Sequence, residues 1–191
     1  MRSIAILGAG ELAATLARRL AEQEQARRVV IVDADEGRAR GKALDIAQSG
    51  PVEGFDVQVD AAASLTAAGA FDTLVVADPP ELADPAMPAS RATALGESLA
   101  PIVGQGQRTL LVAAPSASRV IEAAVRKGMS RDRAVGSAPV AYASALRRRL
   151  ASEMQSEPSA VSALVLGLPP EDVVVPRESA QIGRASCRER V

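Results

Sequence analysis

Short apolar runs alternate with amphipathic stretches over about the first 140 residues of this chain. The alternation is typical of an α/β fold, because strands inside a parallel sheet are apolar throughout while the helices that cover them need only one apolar face. The predicted strands are residues 3–7, 28–32, 57–59, 73–77, 109–113 and 134–136. The predicted helices are residues 12–22, 37–48, 90–103 and 118–127. We therefore expect a doubly wound parallel sheet.

Two local patterns refine this prediction. Leu12, Leu16 and Leu20 recur at helical spacing, which predicts the core-facing stripe of the first helix. Four prolines between residues 78 and 89 interrupt both helix and sheet, so we expect a loop there.

The residues after the last predicted strand form a shorter second region. A helix is predicted from Pro139 to about residue 154, followed by strands at residues 163–166 and 173–175. These elements are too few to complete a domain, so we expect residues 141–181 to be the truncated beginning of one.

Composition excludes several classes of protein. A formal net charge of −1 argues against a nucleic-acid partner that needs a basic face. No apolar run approaches the roughly 20 residues of a membrane helix, and no signal peptide precedes the first strand, so we expect a cytoplasmic protein with no membrane partner. The chain has no histidine and a single cysteine, so no disulfide framework and no metal site are expected.

The last ten residues, 182–191, differ abruptly from the rest in composition and show neither helical nor strand periodicity. They resemble one reading frame of a common sequencing adapter translated as protein. We therefore expect a non-native tail, with the native chain continuing differently after Gln181. This expectation removes Cys187 from any catalytic argument.

A glycine-rich turn follows the first predicted strand. Gly8, Gly10 and Ala13 form the pattern G-x-G-x-x-A, and Asp33 ends the second strand about 20 residues later. In a Rossmann fold, Gly8 permits the tight turn, Gly10 admits a pyrophosphate, and Ala13 lets helix and strand pack closely. Asp33 would accept hydrogen bonds from a ribose, which favours NAD over NADP. The alternatives are a glycine turn without a ligand, and Asp33 as an ordinary helix-cap acid.

The block Gly-Lys-Ala-Leu-Asp-Ile-Ala-Gln-Ser-Gly-Pro-Val-Glu-Gly-Phe-Asp-Val at residues 41–57, together with that turn, closely resembles the lactate/malate dehydrogenase family, in particular bacterial NAD-dependent malate dehydrogenases. The resemblance implies an NAD-binding Rossmann domain over residues 1–140, followed by the start of an α+β C-terminal dehydrogenase domain. It also implies a small 2-hydroxy or 2-oxo acid as substrate and a homo-oligomer.

Several positions depart from the pattern that the resemblance implies. The catalytic histidine reads Pro170 and its aspartate partner reads Tyr142. Two substrate arginines read Ala145 and, in the closing loop, about Pro85, whereas Arg91 matches the loop's second arginine. The Asn-Asn-Pro turn after the fifth strand reads Ala-Ala-Pro at residues 113–115.

These replacements predict that normal catalysis is absent. A positioned acid or base contributes ~10²–10⁴ in rate, and an unpaired buried substrate carboxylate costs ~3–5 kcal/mol. One alternative is an active 2-hydroxy-acid dehydrogenase that uses residues beyond Gln181. Another is a structural subunit without a ligand, paired with itself or with a related dehydrogenase.

Asp78 bears on cofactor binding, because the family has a glycine at this position after the fourth strand. A carboxylate ~5 Å from a phosphate at an effective dielectric constant of ~20 repels it by roughly 3 kcal/mol, about a hundredfold in affinity. In the alternative interpretation Asp78 turns to water or caps the following turn.

Overall fold

The computed structural model describes residues 2–79, 89–105, 108–114, 117–168, 172–183 and 185–186. Backbone contacts divide the chain into two compact units, Met1–Gly136 and Ser137–Val191. The sequence placed its boundary at residue 140, and the functions assigned to the two regions stay predictions.

The first unit is built on one parallel sheet. In the part that the structure describes, its strands are β1 (Ser3–Gly8), β2 (Arg28–Val32), β3 (Gln58–Ala62), β4 (Thr73–Asp78), β5 (Thr109–Val112) and β6 (Ala134–Gly136). Their order across the sheet is β3-β2-β1-β4-β5-β6, and every neighbouring pair is parallel. This arrangement confirms the predicted doubly wound sheet of the Rossmann type. The strand order reverses between β1 and β4, where such sheets open a crevice beyond the carboxyl ends of their strands.

Four α-helices of the first unit lie in the described ranges. They are α1 (Glu11–Glu22), α2 (Glu36–Glu53), α3 (Ala89–Gly104) and α4 (Ala117–Arg126). The predicted helix over residues 37–48 ended too early, because α2 continues through Pro51 to Gly54, which caps it in the left-handed conformation at φ +82°. Within the described ranges, no helix has the length and apolarity that a membrane crossing requires.

The sheet separates two apolar clusters. Ile6 and Ile31 belong to the cluster with α1 and α2, whereas Ala5 and Val30 belong to the cluster with α3 and α4. Neighbouring residues fall in different clusters because successive side chains of a strand point to opposite faces. Helices therefore cover both faces of the sheet, and its strand ends are left to form the site.

The core-facing stripe of α1 differs from the prediction. Ala13, Ala17 and Ala21 are fully buried, while Leu12 is 45% exposed. Leu16 and Leu20 pack at the margin of the cluster. A stripe of methyl groups lets the helix axis lie close to the sheet, which leucine side chains would prevent.

Within its described residues, the second unit contains α5 (Ala138–Glu153) and five short strands. These are β7 (Val161–Ser162), β8 (Leu166–Leu168), β9 (Asp172–Val174), β10 (Gln181–Ile182) and β11 (Ala185–Ser186). The strand predicted at 163–166 begins three residues before β8 begins and ends two residues before β8 ends, and the strand predicted at 173–175 is displaced by one residue from β9. Ile182 pairs with Val161 and is buried with Ala151, and Ala185–Ser186 pairs with β10, so parts of residues 182–191 form strands although their sequence shows no periodicity. The non-native origin of this tail stays a prediction.

We predict opposite effects of adding a methyl group at two helical glycines. A Cβ at Gly96 in α3 would overlap the carbonyl oxygen of Val120 in α4 and approach Ala123 Cβ to 2.9 Å. Gly96→Ala should therefore lower the free energy of unfolding by about 1–3 kcal/mol in urea titrations. The control is Gly41→Ala in α2, where the added carbon meets nothing within 4 Å and should raise that free energy by about 0.5–1 kcal/mol. Equal effects of the two substitutions would contradict the observed packing of α3 on α4.

Candidate nucleotide-binding site

The predicted cofactor residues meet at the carboxyl ends of three adjacent strands. Gly8 ends β1, Gly10 precedes α1, and Ala13 lies in the first turn of that helix. Asp33 follows β2, and Asp78 ends β4. The crevice at the reversal of strand order is therefore lined by the glycine turn and two carboxylates.

Gly8 is required by the fold itself. Its φ of +103° lies in the region that side chains disfavour. A Cβ at this position would also overlap the backbone carbonyl of Asp78 and lie 2.7 Å from the nitrogen of Pro79. The close approach of β4 thus explains this glycine without any ligand.

Asp33 anchors the glycine turn to the end of β2. Its side chain is buried, with a residue exposure of 4%. Oδ2 accepts a hydrogen bond from the backbone nitrogen of Ala9 at 2.8 Å, and Oδ1 accepts one from the backbone nitrogen of Asp35 at 2.9 Å. The helix-cap alternative is wrong, because Asp35 caps α2 by accepting from Arg38 N at 3.0 Å. Each oxygen of Asp33 retains a lone pair for a further donor.

Asp78 points back to α1 and occupies the start of that helix. Its Oδ2 accepts a hydrogen bond from Ala13 N at 2.8 Å. Gly10 is the N-cap residue of α1 and supplies no side-chain cap, so Asp78 satisfies one of the free N–H groups from another strand. The sequence analysis did not anticipate this contact with α1. The alternative that Asp78 caps the following turn depends on residues 80–88, which lie outside the described residues.

Gly10 lies directly against this carboxylate. A Cβ at Gly10 would stand 2.6 Å from both Cγ and Oδ2 of Asp78. The room that the absent side chain leaves is thus filled by Asp78 and not held open. Within this structure the second glycine of the motif accommodates a side chain of the protein itself.

Three other acidic side chains near the crevice have cationic partners. Glu11 pairs with Lys42 at 2.8 Å, Asp35 with Arg38 at 3.4 Å, and Glu36 with Arg40 at 2.7 Å. The hydrogen bond and positive charge of Lys42 hold the pKa of Glu11 below its ordinary value. Among the described residues, no lysine or arginine forms an ion pair with Asp78.

The crevice fits one end of a dinucleotide and not its centre. A ribose could donate hydroxyl hydrogen bonds to the free lone pairs of Asp33. A diphosphate at the start of α1 would need the N–H group of Ala13 and the space over Gly10, and Asp78 holds both. The residues present therefore do not fit a diphosphate as they are arranged.

The remaining predicted positions belong to other elements or fall outside the described residues. Arg91 is exposed in the first turn of α3, and Ala114 is buried after β5. On α5 of the second unit, Tyr142 is 42% exposed and Ala145 is also exposed. Within the described ranges no three His, Cys, Asp or Glu side chains group as metal ligands. The positions outside the described residues are Pro85, Pro115, Pro170 and Cys187.

Sequence reasoning missed the partner of Asp78. The available signals were the missing side chain at the N-cap Gly10 and the position of Asp78 at the end of an apolar strand. Their combination required knowing that β4 lies beside β1. The Lys42–Glu11 pair was missed for the same reason, because its members belong to different helices.

We predict that Asp78→Ala lowers the free energy of unfolding by about 1–2 kcal/mol, because the N–H group of Ala13 and the positive end of α1 lose their acceptor. Asp78→Asn keeps an acceptor oxygen and should cost less. Urea titrations of the full chain measure both. An unchanged midpoint in Asp78→Ala would contradict a capping role.

We also predict that Lys42→Met raises the pKa of Glu11 towards its ordinary value, as followed by NMR titration of the carboxyl carbon. A lowered pKa stabilises the folded state above the ordinary pKa, and that contribution disappears as the pH falls through the lowered value. Lys42→Met should therefore flatten the acid side of the stability profile. A Glu11 titration identical in both proteins would contradict the pairing.

Comparisons with known proteins indicate the family to which this chain belongs. A family model described as NADP oxidoreductase coenzyme F420-dependent matches residues 3–100, about half of the chain. The match runs from β1 into α3, so it covers the glycine turn but neither α5 nor the rest of the second unit.

Longer matches are to malate and lactate dehydrogenases. The malate dehydrogenase of Chlorobium luteolum is 30% identical over 170 residues, covering 86% of this chain and 55% of that protein. The structure of malate dehydrogenase from Salinibacter ruber superposes with a TM-score of 0.81 at 25% identity, covering 99% of this chain and 62% of the other.

A lactate dehydrogenase from Cryptosporidium parvum, solved with lactic acid and nicotinamide adenine dinucleotide, gives a TM-score of 0.83 at 22% identity and shows the same fold over 99% of this chain and 61% of its own. The chain thus spans about half the length of the curated relatives it matches. Its sheet order, glycine turn and these similarities together show that the chain belongs to the lactate/malate dehydrogenase family.

Proposed function

We propose that this chain is a nucleotide-binding member of its family that takes the adenosine ribose of NAD at Asp33 and does not oxidise malate or lactate by the family's proton-transfer route. The observation that carries the binding half is the buried carboxylate of Asp33, held against the glycine turn by Ala9 N. Its orientation is set before any ligand arrives, so little order has to be created on binding.

The same carboxylate favours NAD over NADP. A ribose 2′-hydroxyl can donate to a carboxylate, whereas a 2′-phosphate brings a second negative charge to a buried anion. The matching family model is described as an NADP oxidoreductase, whereas the buried carboxylate of Asp33 favours NAD in this chain.

The proposed absence of proton-transfer catalysis is argued from the residue types at the family's catalytic positions. The sequence contains no histidine, and the family resemblance places the acid/base pair at Pro170 and Tyr142. A proline ring has no proton to exchange, and a phenol is a far weaker acid than the carboxyl group it replaces. Arg91 alone keeps a family role, that of binding the carboxylate of a small 2-hydroxy or 2-oxo acid.

Two alternative functions make different predictions. An active dehydrogenase would need an acid/base group from a part of the protein beyond this chain. A purely structural subunit, associated with another copy or with a related dehydrogenase, would bind no nucleotide.

Binding is tested by titrating the full chain with NADH to millimolar concentrations, following the nicotinamide fluorescence. We expect saturable binding that Asp33→Asn weakens at least tenfold, because it removes the charge facing the ribose. Asp35→Asn is the matched control, since asparagine also caps helices and this residue caps α2. NADPH should bind at least tenfold more weakly than NADH.

Equal affinity of the Asp33 and Asp35 variants would contradict the ribose assignment. Melting curves establish that each variant is folded at the assay temperature.

Catalysis is tested by malate-dependent and lactate-dependent reduction of NAD. We expect turnover at least ~10⁴-fold below that of an ordinary malate dehydrogenase, because the resemblance implies that the acid/base pair and two substrate-binding arginines are replaced. Turnover at a normal enzymatic rate would contradict the proposal and favour the active alternative.

A further inference from the structure

The start of α1 already holds an anion that belongs to the protein. Asp78 Oδ2 accepts from Ala13 N at 2.8 Å and lies against Gly10. We propose that Asp78 is an autoinhibitory residue that occupies the diphosphate position of the nucleotide crevice, so that a dinucleotide binds only by displacing it. This inference rests on the proposed function, because it presupposes a nucleotide at Asp33.

Space is the first argument. A diphosphate reaches the N-terminus of a helix only where the glycine turn leaves room for it. Here a single added carbon at Gly10 would already lie 2.6 Å from Asp78 Oδ2. A phosphate group is larger than one carbon atom, so phosphate and the Asp78 carboxylate cannot occupy this position together.

Charge is the second argument. Three acidic residues beside the crevice, Glu11, Asp35 and Glu36, are paired with lysine or arginine. Asp33 accepts hydrogen bonds from two backbone nitrogens at the end of β2. Across the described residues Asp78 has no such ion-pair partner, and its charge faces the start of α1 directly. At ~5 Å and an effective dielectric constant of ~20, this charge weakens binding of a phosphate about a hundredfold.

The contact is local enough to be displaced. Asp78 is only half-buried and makes one hydrogen bond through its side chain to the described residues, whereas Asp33 is buried and makes two. When a ligand displaces Asp78, the protein therefore loses one cap of α1, and the hydrogen bond from Ala9 N to Asp33 is kept. Oδ2 of Asp78 thus stabilises the ligand-free protein by capping α1, and the same atom weakens the binding of a phosphate at that position.

The test compares NADH affinity in the full chain and three variants. Asp78→Gly removes both the charge and the side chain, and we expect about a hundredfold tighter binding. Asp78→Asn removes the charge and keeps the volume, so its affinity should fall between the two. Asp72→Asn is the matched control, because that carboxylate also accepts from a backbone nitrogen, Ser3 N at 2.8 Å, but precedes β4 at the opposite edge of the sheet.

Adenosine provides a second probe because it has the ribose and lacks the diphosphate. Its affinity, measured by calorimetry, should change less than threefold between the wild-type chain and Asp78→Gly. An equal gain for adenosine and NADH would overturn the inference, since Asp78 would then act on the pocket as a whole.

The remaining outcomes separate this inference from the proposed function. Wild-type protein that binds NADH as tightly as Asp78→Gly overturns the autoinhibitory role and leaves nucleotide binding standing. Folded Asp78→Gly and Asp78→Asn proteins that bind neither NADH nor adenosine overturn both. If Asp78→Gly does not fold, a gain of tenfold or more in Asp78→Asn supports the inference, and no gain overturns it.

Discussion

The backbone N–H groups of the glycine turn and of the first turn of α1 need acceptors that the turn itself does not contain. Gly8 and Gly10 have no side chains, so the acceptors come from the ends of the two neighbouring strands. Asp33, at the end of β2, accepts a hydrogen bond from the turn, and Asp78, at the end of β4, accepts one from the first turn of α1. Internal hydrogen bonds therefore bridge the crevice at the reversal of strand order, and a ligand that needs the start of α1 competes with Asp78 for the N–H group of Ala13.

This bridging changes how the glycine pattern is understood. Glycines in a dinucleotide fingerprint allow a tight turn and the approach of a pyrophosphate. In this chain Gly8 accommodates the backbone of β4, and Gly10 accommodates the Asp78 side chain. In this chain the packing around both glycines involves no cofactor, so the glycine turn by itself does not establish what the crevice binds.

Much of the first unit follows from local pattern. All six strands of its sheet were predicted within about three residues of their observed ends, because buried parallel strands are continuous apolar runs. The errors arose where local rules compete with contacts made elsewhere. Leucine spacing predicted the buried face of α1, but the sheet admits only Ala13, Ala17 and Ala21 at close range. The helix predicted over residues 37–48 ended too early, because α2 continues through Pro51 to the left-handed cap at Gly54.

From the sequence alone come the strand and helix periods, the glycine turn, the carboxylate at residue 33 and the absence of histidine. All of these depend on residues that are close in the chain or on composition. Only the tertiary structure decided what Asp78 does. Its partner Ala13 lies 65 residues earlier, and the two meet because β1 and β4 are neighbours in the sheet. A side chain's acceptor or donor is set by spatial adjacency, which a one-dimensional pattern does not contain.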